Sequence, residues 1–535
     1  AAYNKDFTGG HHFDAMAGYS WQQFYYKSSD YSFKLTDGAE LSKNNPAGEL
    51  FLVSFFGRVN YSYDNRYMLT ATLRRDGTSR FSNNKWGLFP SVALGWNIAN
   101  EDFLKDNDVL TTMKLRASWG QLGNGNVDAY AYVERFGFGN LSNVIDGVAK
   151  RRMTSIPSQI PDGLTWETSQ TIDGGVDIGL YNGKINITGD YYVRNTLNMY
   201  TVGPSLPDTY GASAPKGNYA DLVTRGFELS VSYDDSFDVG AHKLNFGIKA
   251  SLSDNRTFIT RYNNPTNSLN DWYVGEEIGD IWGFEFGGIF DSQELIDNFY
   301  GPGKPYVNDL IQLNEGYITK VGDVILKDKN RNGIIDKGSQ TVDDPGDMVK
   351  VGNESPRYRY GLTLNLEWNG IYASAMFQGI GKMDWYPSGE SIIWGQYHRP
   401  YGNALEWTVK NAWTPENPNA YLPKYTGYYR IFFSGAHKVD RYVMDASFFR
   451  LQNLQIGYNL PTKWVKKIGL SGVGVYFSGE NLFTWSPLYR LTKDVDVVTA
   501  TMGSDPDLGN QSDNYGDGNN LPSMRTFSFG ITIKI

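Results

Sequence analysis

The sequence predicts an all-β protein, a transmembrane antiparallel β-barrel with long extracellular loops. Apolar and polar side chains alternate in strand-length segments from one end of the 535-residue chain to the other. Short and long connections between these segments follow one another almost without exception. The chain has no run of about 18 apolar residues that could span a membrane as a helix. If such a chain crosses a membrane, its strands have to form a closed barrel, because lipid offers no hydrogen-bond partner to the backbone N–H and C=O groups of an open sheet edge.

The composition agrees with strands that meet a membrane interface. Aromatic residues make up 15% of the chain, with 37 Tyr and 14 Trp, and there are 59 Gly. Tyr and Trp combine an apolar ring with a polar tip, which suits the boundary between lipid and water. The net charge of −9 argues against nucleic acid as a partner. The absence of Cys excludes a disulfide framework and thiolate metal sites.

The segment 523–535 at the end of the chain shows the strand pattern most clearly. The apolar face is formed by Phe527, Phe529, Ile531, Ile533 and Ile535, and the polar face by Thr526, Ser528, Thr532 and Lys534. A strand of this length, tilted by about 45°, spans a hydrocarbon core of about 30 Å.

The same pattern recurs along the whole chain and predicts about fourteen strands. In order, they lie near residues 13–24, 51–63, 67–74, 88–98, 113–119, 165–180, 185–194, 227–233, 244–253, 360–368, 371–377, 449–458, 473–477 and 523–535. The apolar parity slips between Leu451 and Leu454, which predicts a β-bulge. The parity predicts a lipid-facing set of Leu229, Val231, Leu364, Leu366, Phe527, Phe529 and Ile531, and a lumen-facing set of Glu228, Asn365 and Ser528.

Connection length separates a barrel from a soluble sandwich. The short connections lie near 64–66, 181–183, 235–241, 369–370 and 461–469. The long ones lie near 28–50, 121–163, 196–218, 257–356, 379–446 and 484–521. Short turns at one rim and long loops at the other are typical of outer-membrane barrels, whereas a sandwich has no reason to sort its loops in this way. With an even number of strands, both chain ends are expected at the short-turn, periplasmic rim.

The loops are large for a barrel of this strand count, so we expect a larger barrel to which this chain contributes the C-terminal part. Residues 1–6 lack the charged head and apolar run of a secretory signal. We therefore expect that residue 1 is not the start of the gene product.

Several phrases of the sequence resemble the SusC/RagA family of TonB-dependent outer-membrane transporters. They are YMLTATLRRDGTSRF at 67–81, WGLFPS at 86–91, LRASWGQLGN at 115–124, AWTPENP at 412–418, DASFFRL at 445–451, GYNLP at 457–461, NLFTW at 481–485 and RTFSFG at 525–530. These phrases extend over nearly the whole chain in the order of the family.

The resemblance implies a 22-stranded barrel with a plug, of which residues 1–535 would be the C-terminal part. The plug domain and the N-terminal strands would then lie outside this chain. It implies TonB-dependent import of a large nutrient, an oligosaccharide or a peptide, with glycan import typical of the family. It further implies three kinds of partner: a SusD-like surface lipoprotein as a lid, the TonB–ExbB–ExbD complex and outer-membrane lipid. The implied assembly is a dimer of SusC–SusD pairs. The alternative function is a passive outer-membrane pore or an adhesin without TonB coupling.

One segment has the spacing of a cation-binding loop. Asp328, Asn330, Asn332 and Asp336 offer side-chain oxygens at alternating positions, and Ile334 offers its carbonyl oxygen. Calcium and magnesium prefer oxygen ligands, so this loop is the candidate site for Ca2+ or Mg2+. Ser339 stands where an EF-hand has its bidentate Glu, so an EF-hand is not predicted. The alternative is an Asn/Gly turn whose side chains bond its own backbone.

A second candidate site is an aromatic loop after residue 384. Trp385, Tyr386, Trp394 and Tyr397, followed by His398, combine ring faces with polar groups, so they are candidate substrate-binding residues. The alternative is an ordered loop packed on the barrel rim or on a partner protein. No arrangement of a nucleophile with a base was found, so neither an enzyme nor an organic cofactor is predicted.

Overall fold

The computed structural model describes most of the chain. The described residues are 1–27, 30–33, 40–44, 47–105, 107–133, 138–140, 152–154, 160, 163–204, 206, 209, 214–299, 307–308, 319–387, 391, 393–394, 397, 404–426, 437–500 and 522–535. Among these residues, no helix combines the length and the apolar character needed to cross a membrane.

The described residues form one dominant antiparallel sheet of fifteen strands, and its strand order follows the chain order. The strands are β1 (Ala2–Phe7), β2 (His11–Lys27), β3 (Ala47–Tyr63), β4 (Tyr67–Thr78), β5 (Trp86–Asn97), β6 (Leu110–Asn124), β7 (Glu167–Leu180), β8 (Ile185–Val202), β9 (Lys216–Val239), β10 (His242–Arg261), β11 (Arg357–Trp368), β12 (Ile371–Lys382), β13 (Phe448–Asn459), β14 (Gly472–Trp485) and β15 (Thr526–Lys534). This up-and-down order is the one that hairpin-connected barrel strands produce.

The sheet has one strand more than the alternation predicted, and this changes the position of the chain start. β1 pairs with the first part of β2, from Ala2 opposite Met16 to Phe7 opposite His11. Polar residues interrupt its alternation, so the sequence pattern does not reveal it. The amino group of Ala1 donates to the carbonyl oxygen of Ala17 at 2.8 Å. The start of the chain therefore lies part way along β2, and the prediction that it lies at the short-turn rim is wrong.

The short connections are built from residues that tolerate the left-handed backbone region. The β3–β4 turn has Asp64 and Asn65 at φ of 51° and 52°, and the β11–β12 turn has Asn369 and Gly370 at 47° and 84°. Asn, Asp and Gly adopt this region at the lowest cost, and such turns match the twist of the flanking strands. The predicted turns at these two places are confirmed.

The long connections lie at the opposite ends of the strands, and some strands extend further than predicted. β8 ends at Val202 and β9 begins at Lys216, so the connection predicted at 196–218 is shorter. β9 has 24 residues, whereas about ten are enough to span the bilayer. Beyond the lipid both faces of a strand meet water, so the alternation disappears from the sequence although the ladder continues.

The described connections hold small elements of their own. The α-helices are Gln293–Phe299, Glu406–Lys410, Thr462–Val465 and Val497–Ala500, and the 3-10 helices are Ile98–Asn100, Asp440–Tyr442, Lys466–Ile468 and Pro487–Arg490. The short strand pairs are Asp30–Phe33 with Glu40–Asn44, Phe138–Asn140 with Arg152–Thr154, Asp280–Gly283 with Val349–Asn353, Phe286–Ile289 with Val324–Leu326, Val307–Asn308 with Ile334–Ile335, Asp384–Trp385 with Met444–Asp445, and Ala412–Trp413 with Leu422–Lys424.

The bulge predicted in β13 is present. The register of β13 against β14 shifts between Leu451 and Asn453, and the register against β12 shifts opposite Met376 and Phe377. The extra residue restores the apolar parity on the same face of the sheet, which is the usual effect of a bulge.

In the described part of the chain, the largest buried core lies in the long connections and not between the strands. It joins residues from three connections, for example Ile281, Leu326, Trp394, Tyr442 and Leu488. We call this core, built from the described residues of the β10–β11, β12–β13 and β14–β15 connections, the extracellular cap. By contrast, apolar side chains on one face of the sheet are widely exposed, as expected for a face that meets lipid.

Candidate functional site

The polar face of the sheet carries paired charges in the middle of the strands. Arg116 on β6 donates through Nε to Asp177 on β7 at 2.8 Å, and its Nη1 lies 2.8 Å from Oδ1 of Asp190 on β8. All three side chains are partly exposed. Such a charge network belongs on a water-facing lumen wall, because lipid would not solvate it.

A cavity of about 450 Å3 opens at the long-loop ends of β2, β3, β4 and β6. Its lining includes Phe24, Arg74, Asp76, Arg80 and Leu122. We call this cavity the lumen mouth. Its volume falls in the range of typical ligand pockets.

Both arginines of the lumen mouth are held in place by neighbours. Nε of Arg74 donates to both carboxylate oxygens of Asp76, at 2.8 and 2.7 Å, and Nη2 of Arg74 donates to the hydroxyl of Ser54 at 3.1 Å. Nη1 of Arg80 donates to Oδ1 of Asn126 at 3.2 Å and to the carbonyl oxygen of Val127. The Arg74 side chain nevertheless remains 45% exposed, so it can also contact a ligand.

A second cavity of about 380 Å3 continues from the lumen mouth along the polar face, and both cavities share Arg74, Phe89 and Leu122. Its lining is rich in hydroxyl groups, which come from Thr70, Thr72, Ser91, Ser118, Ser169 and Thr171. The two cavities together form a groove on the described part of the lumen wall. The sequence analysis missed this groove, although one signal was present. Leu122 is apolar, yet it alternates with Arg116 and Ser118 on the polar face of the same strand.

The side chains of the candidate cation loop bond the backbone of their own loop. Asp328 Oδ2 accepts from the N–H of Gly333 at 2.8 Å, Asn332 Oδ1 from Ile334 at 2.7 Å, and Asp336 Oδ1 from Gly338 at 2.7 Å. Asn330 Oδ1 likewise accepts from the N–H of Asn332 at 3.0 Å. These bonds are those of the alternative interpretation, an Asn/Gly turn. Within the described ranges, no group of three or more His, Cys, Asp or Glu side chains is arranged to hold a metal.

Asp347, which the sequence analysis did not select, anchors this loop. Its carboxylate is fully buried and accepts from the N–H groups of Lys329 at 2.7 Å and Asp336 at 2.9 Å. Burial raises the pKa of Asp347, and the nearby charge of Asp328 adds to this rise. Oδ1 of Asp328 is buried without a hydrogen-bond partner. A buried carboxylate oxygen without a hydrogen-bond partner could serve as a ligand to a cation, so the cation site stays a prediction.

The four candidate substrate-binding rings lie inside the extracellular cap. Trp394 and Tyr397 are fully buried, and Trp385 and Tyr386 are more than nine-tenths buried. The indole N–H of Trp394 donates to the carbonyl oxygen of Pro387 at 3.2 Å. The hydroxyl of Tyr397 donates to the carbonyl oxygen of Pro423 at 2.6 Å. Burial raises the pKa of both tyrosines far above its usual range. In this conformation no ring face is open to a ligand; the binding role stays a prediction, and His398 lies outside the described residues.

Comparison with known proteins supports a β-barrel over nearly the whole chain. Residues 1–482 match the family model described as TonB dependent receptor-like, beta-barrel. TonB-dependent receptor P3 of Formosa agariphila is 29% identical, and the match covers 99% of this chain and 51% of that protein. TonB-dependent receptor SusC of Bacteroides thetaiotaomicron is 26% identical, with 98% and 48% covered. The chain thus spans about half the length of the curated relatives it matches.

Solved structures show the same fold. The structure of the RagAB peptide transporter aligns with a TM-score of 0.68 at 21% identity, and the alignment covers 91% of this chain and 51% of that chain. The RagAB peptide importer in the "open-open" state aligns with a TM-score of 0.68 at 22% identity, with 90% and 50% covered. At these identities the likeness concerns the fold alone.

Proposed function

Since this chain belongs to the family of TonB dependent receptor-like β-barrels, we propose that it is part of a transporter that imports a large nutrient. The family and the outer-membrane location were predicted from the sequence and are confirmed by the relatives. These relatives are receptors and transporters, not enzymes, which agrees with the sequence analysis. The cargo, an oligosaccharide or a peptide, would cross the outer membrane with energy supplied through TonB, ExbB and ExbD.

We further propose that a plug domain and additional N-terminal strands complete the barrel from outside this chain. The relatives are about twice as long as the matched region. Among the described residues, β1 pairs only with β2 and β15 only with β14, so each edge of the sheet can accept one more strand. A plug would also explain how a wide polar interior remains closed to free diffusion.

The extracellular cap supports a proposal for the partner. We propose that a SusD-like lipoprotein sits on this cap as a lid, and that two such pairs assemble as a dimer. The cap has its own buried core, so it offers a rigid surface and not a set of separate loops. One relative is SusC itself, and the similar structures are of RagAB.

The family match over residues 1–482 carries the import proposal. The test compares growth of the native strain, a deletion strain and a TonB-deficient strain on oligosaccharides and on peptides as sole nutrients. We expect growth on one class to require both this protein and TonB. Uptake that persists without TonB, together with a steady ion conductance of the purified full-length protein in planar bilayers, would support the passive pore instead.

We also propose that the loop from Asp328 to Asp336 binds Ca2+ or Mg2+ through Asp328, Asn330, Asn332, Ile334 and Asp336. The buried Oδ1 of Asp328, which lacks a hydrogen-bond partner, supports this proposal. The loop belongs to the connection between β10 and β11 on the cap side, so the cation would stiffen the cap and take no part in transport chemistry.

A further inference from the structure

We propose that Arg75 marks a binding site for a phosphorylated lipid of the outer leaflet, on the outer surface of the barrel. Arg75 binds the phosphate of the headgroup, and a cavity directly below it takes an acyl chain. The site lies on the lipid-facing side of β2, β3 and β4, so neither a plug nor a cargo molecule in the lumen reaches it. The inference rests on the outer-membrane location and does not depend on the cargo.

The first observation is a positive charge on the apolar face of β4. Arg75 follows Leu73 at the next position of the same parity, and it stands opposite Phe55 on β3 and Leu88 on β5. Among the described residues, Arg75 has neither a hydrogen bond nor an ion pair, whereas Arg74 on the lumen side has both. A charge that faces lipid is costly unless a partner meets it.

Arg75 lies near the level of the headgroups of the outer leaflet. β4 begins beside the short turn at Tyr67, and Arg75 comes eight residues later, about 26 Å along the strand at about 3.3 Å per residue. At a tilt of about 40° this is about 20 Å of height, and the apolar band of such barrels is about 25 Å tall. The long arginine side chain extends over the remaining height, so its charge reaches the headgroups.

An aromatic cluster supports the guanidinium group at this level. The guanidinium carbon of Arg75 lies 5.1 Å from the ring centroid of Trp86. The centroids of Trp86 and Phe55 are 6.2 Å apart, and those of Phe55 and Tyr19 are 5.1 Å apart. All three rings are widely exposed, as expected at the boundary between lipid and water. A cation–π contact occupies no hydrogen-bond acceptor, so the planar N–H fork stays available for two phosphate oxygens.

A cavity of about 500 Å3 lies directly below Arg75 on the same face. Gly57 stands opposite Leu73, one pair of positions further from the long loops than Phe55 opposite Arg75. A side chain at Gly57 would meet open space apart from the carbonyl oxygen of Met16 at 3.8 Å. β1 borders the cavity within the plane of the sheet and leaves its outer side open. The lining on the lipid-facing parity is Tyr3, Ala15, Ala17, Val59, Ala71 and Leu73.

The two features together select a lipid that carries a phosphate. Free phosphate would bind the guanidinium group but leave the apolar cavity empty, and an uncharged lipid would do the reverse. A phosphorylated lipid satisfies both, with its headgroup at the membrane boundary and its acyl chain toward the middle of the bilayer. Arg225 on β9 provides a comparison, because it is also exposed on the lipid-facing parity. It stands opposite Val193 and Arg256, and among the described residues no aromatic ring lies under it.

The test measures lipid binding to the purified full-length protein in detergent by native mass spectrometry. The probes are diphosphoryl lipid A, the same lipid after removal of both phosphates, and inorganic phosphate. We expect the wild type to bind the phosphorylated lipid about tenfold more tightly than the dephosphorylated one, and an equal concentration of inorganic phosphate not to displace it. Arg75→Gln should remove this preference, and Arg75→Lys should restore part of it, because lysine keeps the charge without the planar fork. Ala71→Phe, which fills the cavity, should weaken the binding of both lipids.

Arg225→Gln is the matched control, since it removes one arginine from an exposed position on the same face of the sheet. It should leave the preference for phosphate unchanged, and all variants should show the heat-modifiable migration of the wild type. Equal losses in Arg75→Gln and Arg225→Gln overturn the inference, because the lipid then responds to surface charge alone. An unchanged preference in Arg75→Gln also overturns it, and so does displacement by inorganic phosphate. Ala71→Phe keeps Arg75 and tests the site separately, so unchanged lipid binding in this variant refutes the cavity as the acyl-chain site.

Discussion

Leu364 and Asn365 follow one another in β11, and the sheet places them on opposite faces. Leu364 pairs with Ala375 and Ile248 and is 36% exposed on the apolar face. Asn365 Oδ1 accepts from the hydroxyl of Ser374 at 2.8 Å on the polar face. The exposure of Leu364, Leu366 and Leu229 agrees with the predicted lipid-facing parity.

The two faces predict opposite tolerance to charge. Leu364→Arg should destabilise the full-length barrel by about 2–4 kcal/mol if the residue lies near the bilayer midplane. Asn365→Arg is the matched control and should cost less, because the new charge meets water in the lumen. Urea unfolding of the protein in lipid vesicles measures both effects. Equal losses for the two variants would show that the faces are assigned wrongly.

A buried ion pair attaches the last long connection to the barrel. Nη2 of Arg450 on β13 donates to Oδ1 of Asp496 at 2.8 Å, and its Nη1 donates to the hydroxyl of Ser523 at 3.1 Å. The two charged side chains are 5% and 7% exposed. Burial opposes the charged carboxylate, but N–H groups of Ser523 and Val498 and the charge of Arg450 outweigh burial and lower the pKa of Asp496.

The direction of this shift predicts a pH dependence. A carboxyl whose pKa is lower in the folded state stabilises that state above its unfolded pKa, near 3.8, and the contribution is lost as pH falls through the folded pKa. The protection of the amides in residues 486–497 against hydrogen exchange, corrected for the intrinsic exchange rate at each pH, should therefore fall below about pH 4. Asp496→Asn should give fast exchange at pH 7 as well, because Arg450 is left buried without its partner. Exchange rates in this variant that match the wild type at pH 7 would show that the Arg450–Asp496 ion pair does not hold this connection on the barrel.

At the level of elements, the cation loop gives a direct test of the metal prediction. Asp328→Ala should abolish calcium binding to the full-length protein, measured by calorimetry, while Asp343→Ala in the neighbouring exposed turn should leave it unchanged. Loss of the cation should increase hydrogen exchange in 328–336 without lowering the unfolding temperature of the barrel. If the wild type binds neither calcium nor magnesium, the cation prediction is wrong, and the side chains of this loop serve only to bond its own backbone.

The two edge strands lead to a prediction for the whole molecule. β1 and β15 each have one neighbour in the described sheet, so each presents a row of backbone groups to its surroundings. In lipid, unpaired backbone groups cost several kcal/mol each. Residues 1–535 expressed alone behind a signal peptide should therefore fail to give a heat-modifiable, protease-resistant species in outer membranes. A resistant species would mean that these fifteen strands close by themselves.

Much of the fold was predictable, because barrel strands are specified by local patterns. The alternation in β11 or β15 requires only that one face meets lipid and the other water. The turn at Asn369 and Gly370 was predictable because few residues adopt its backbone conformation. β1 was missed, because a short polar edge strand takes its structure from its neighbour β2 and not from its own sequence.

The candidate sites were less predictable, because they depend on residues that are distant in the chain. Spacing selected Asp328 and its neighbours but not Asp347, which reaches the loop from a later segment. Aromatic density selected Trp394 and Tyr397, whereas only packing could show that they are buried in the cap. The lumen mouth combines Phe24, Arg74 and Leu122 from three strands, so no local motif contains it.

The sequence by itself determined the class of fold, the strand parity and the membrane location, because each depends on a repeated local contrast between apolar and polar side chains. It also indicated the family, through the resemblance of segments such as LRASWGQLGN at 115–124 to known members. The tertiary structure decided which side chains meet. Strand register placed Arg116 between Asp177 and Asp190, and the packing of distant connections built the cap. Register and packing are set by interactions summed over the whole sheet, so a pattern within one strand does not contain them.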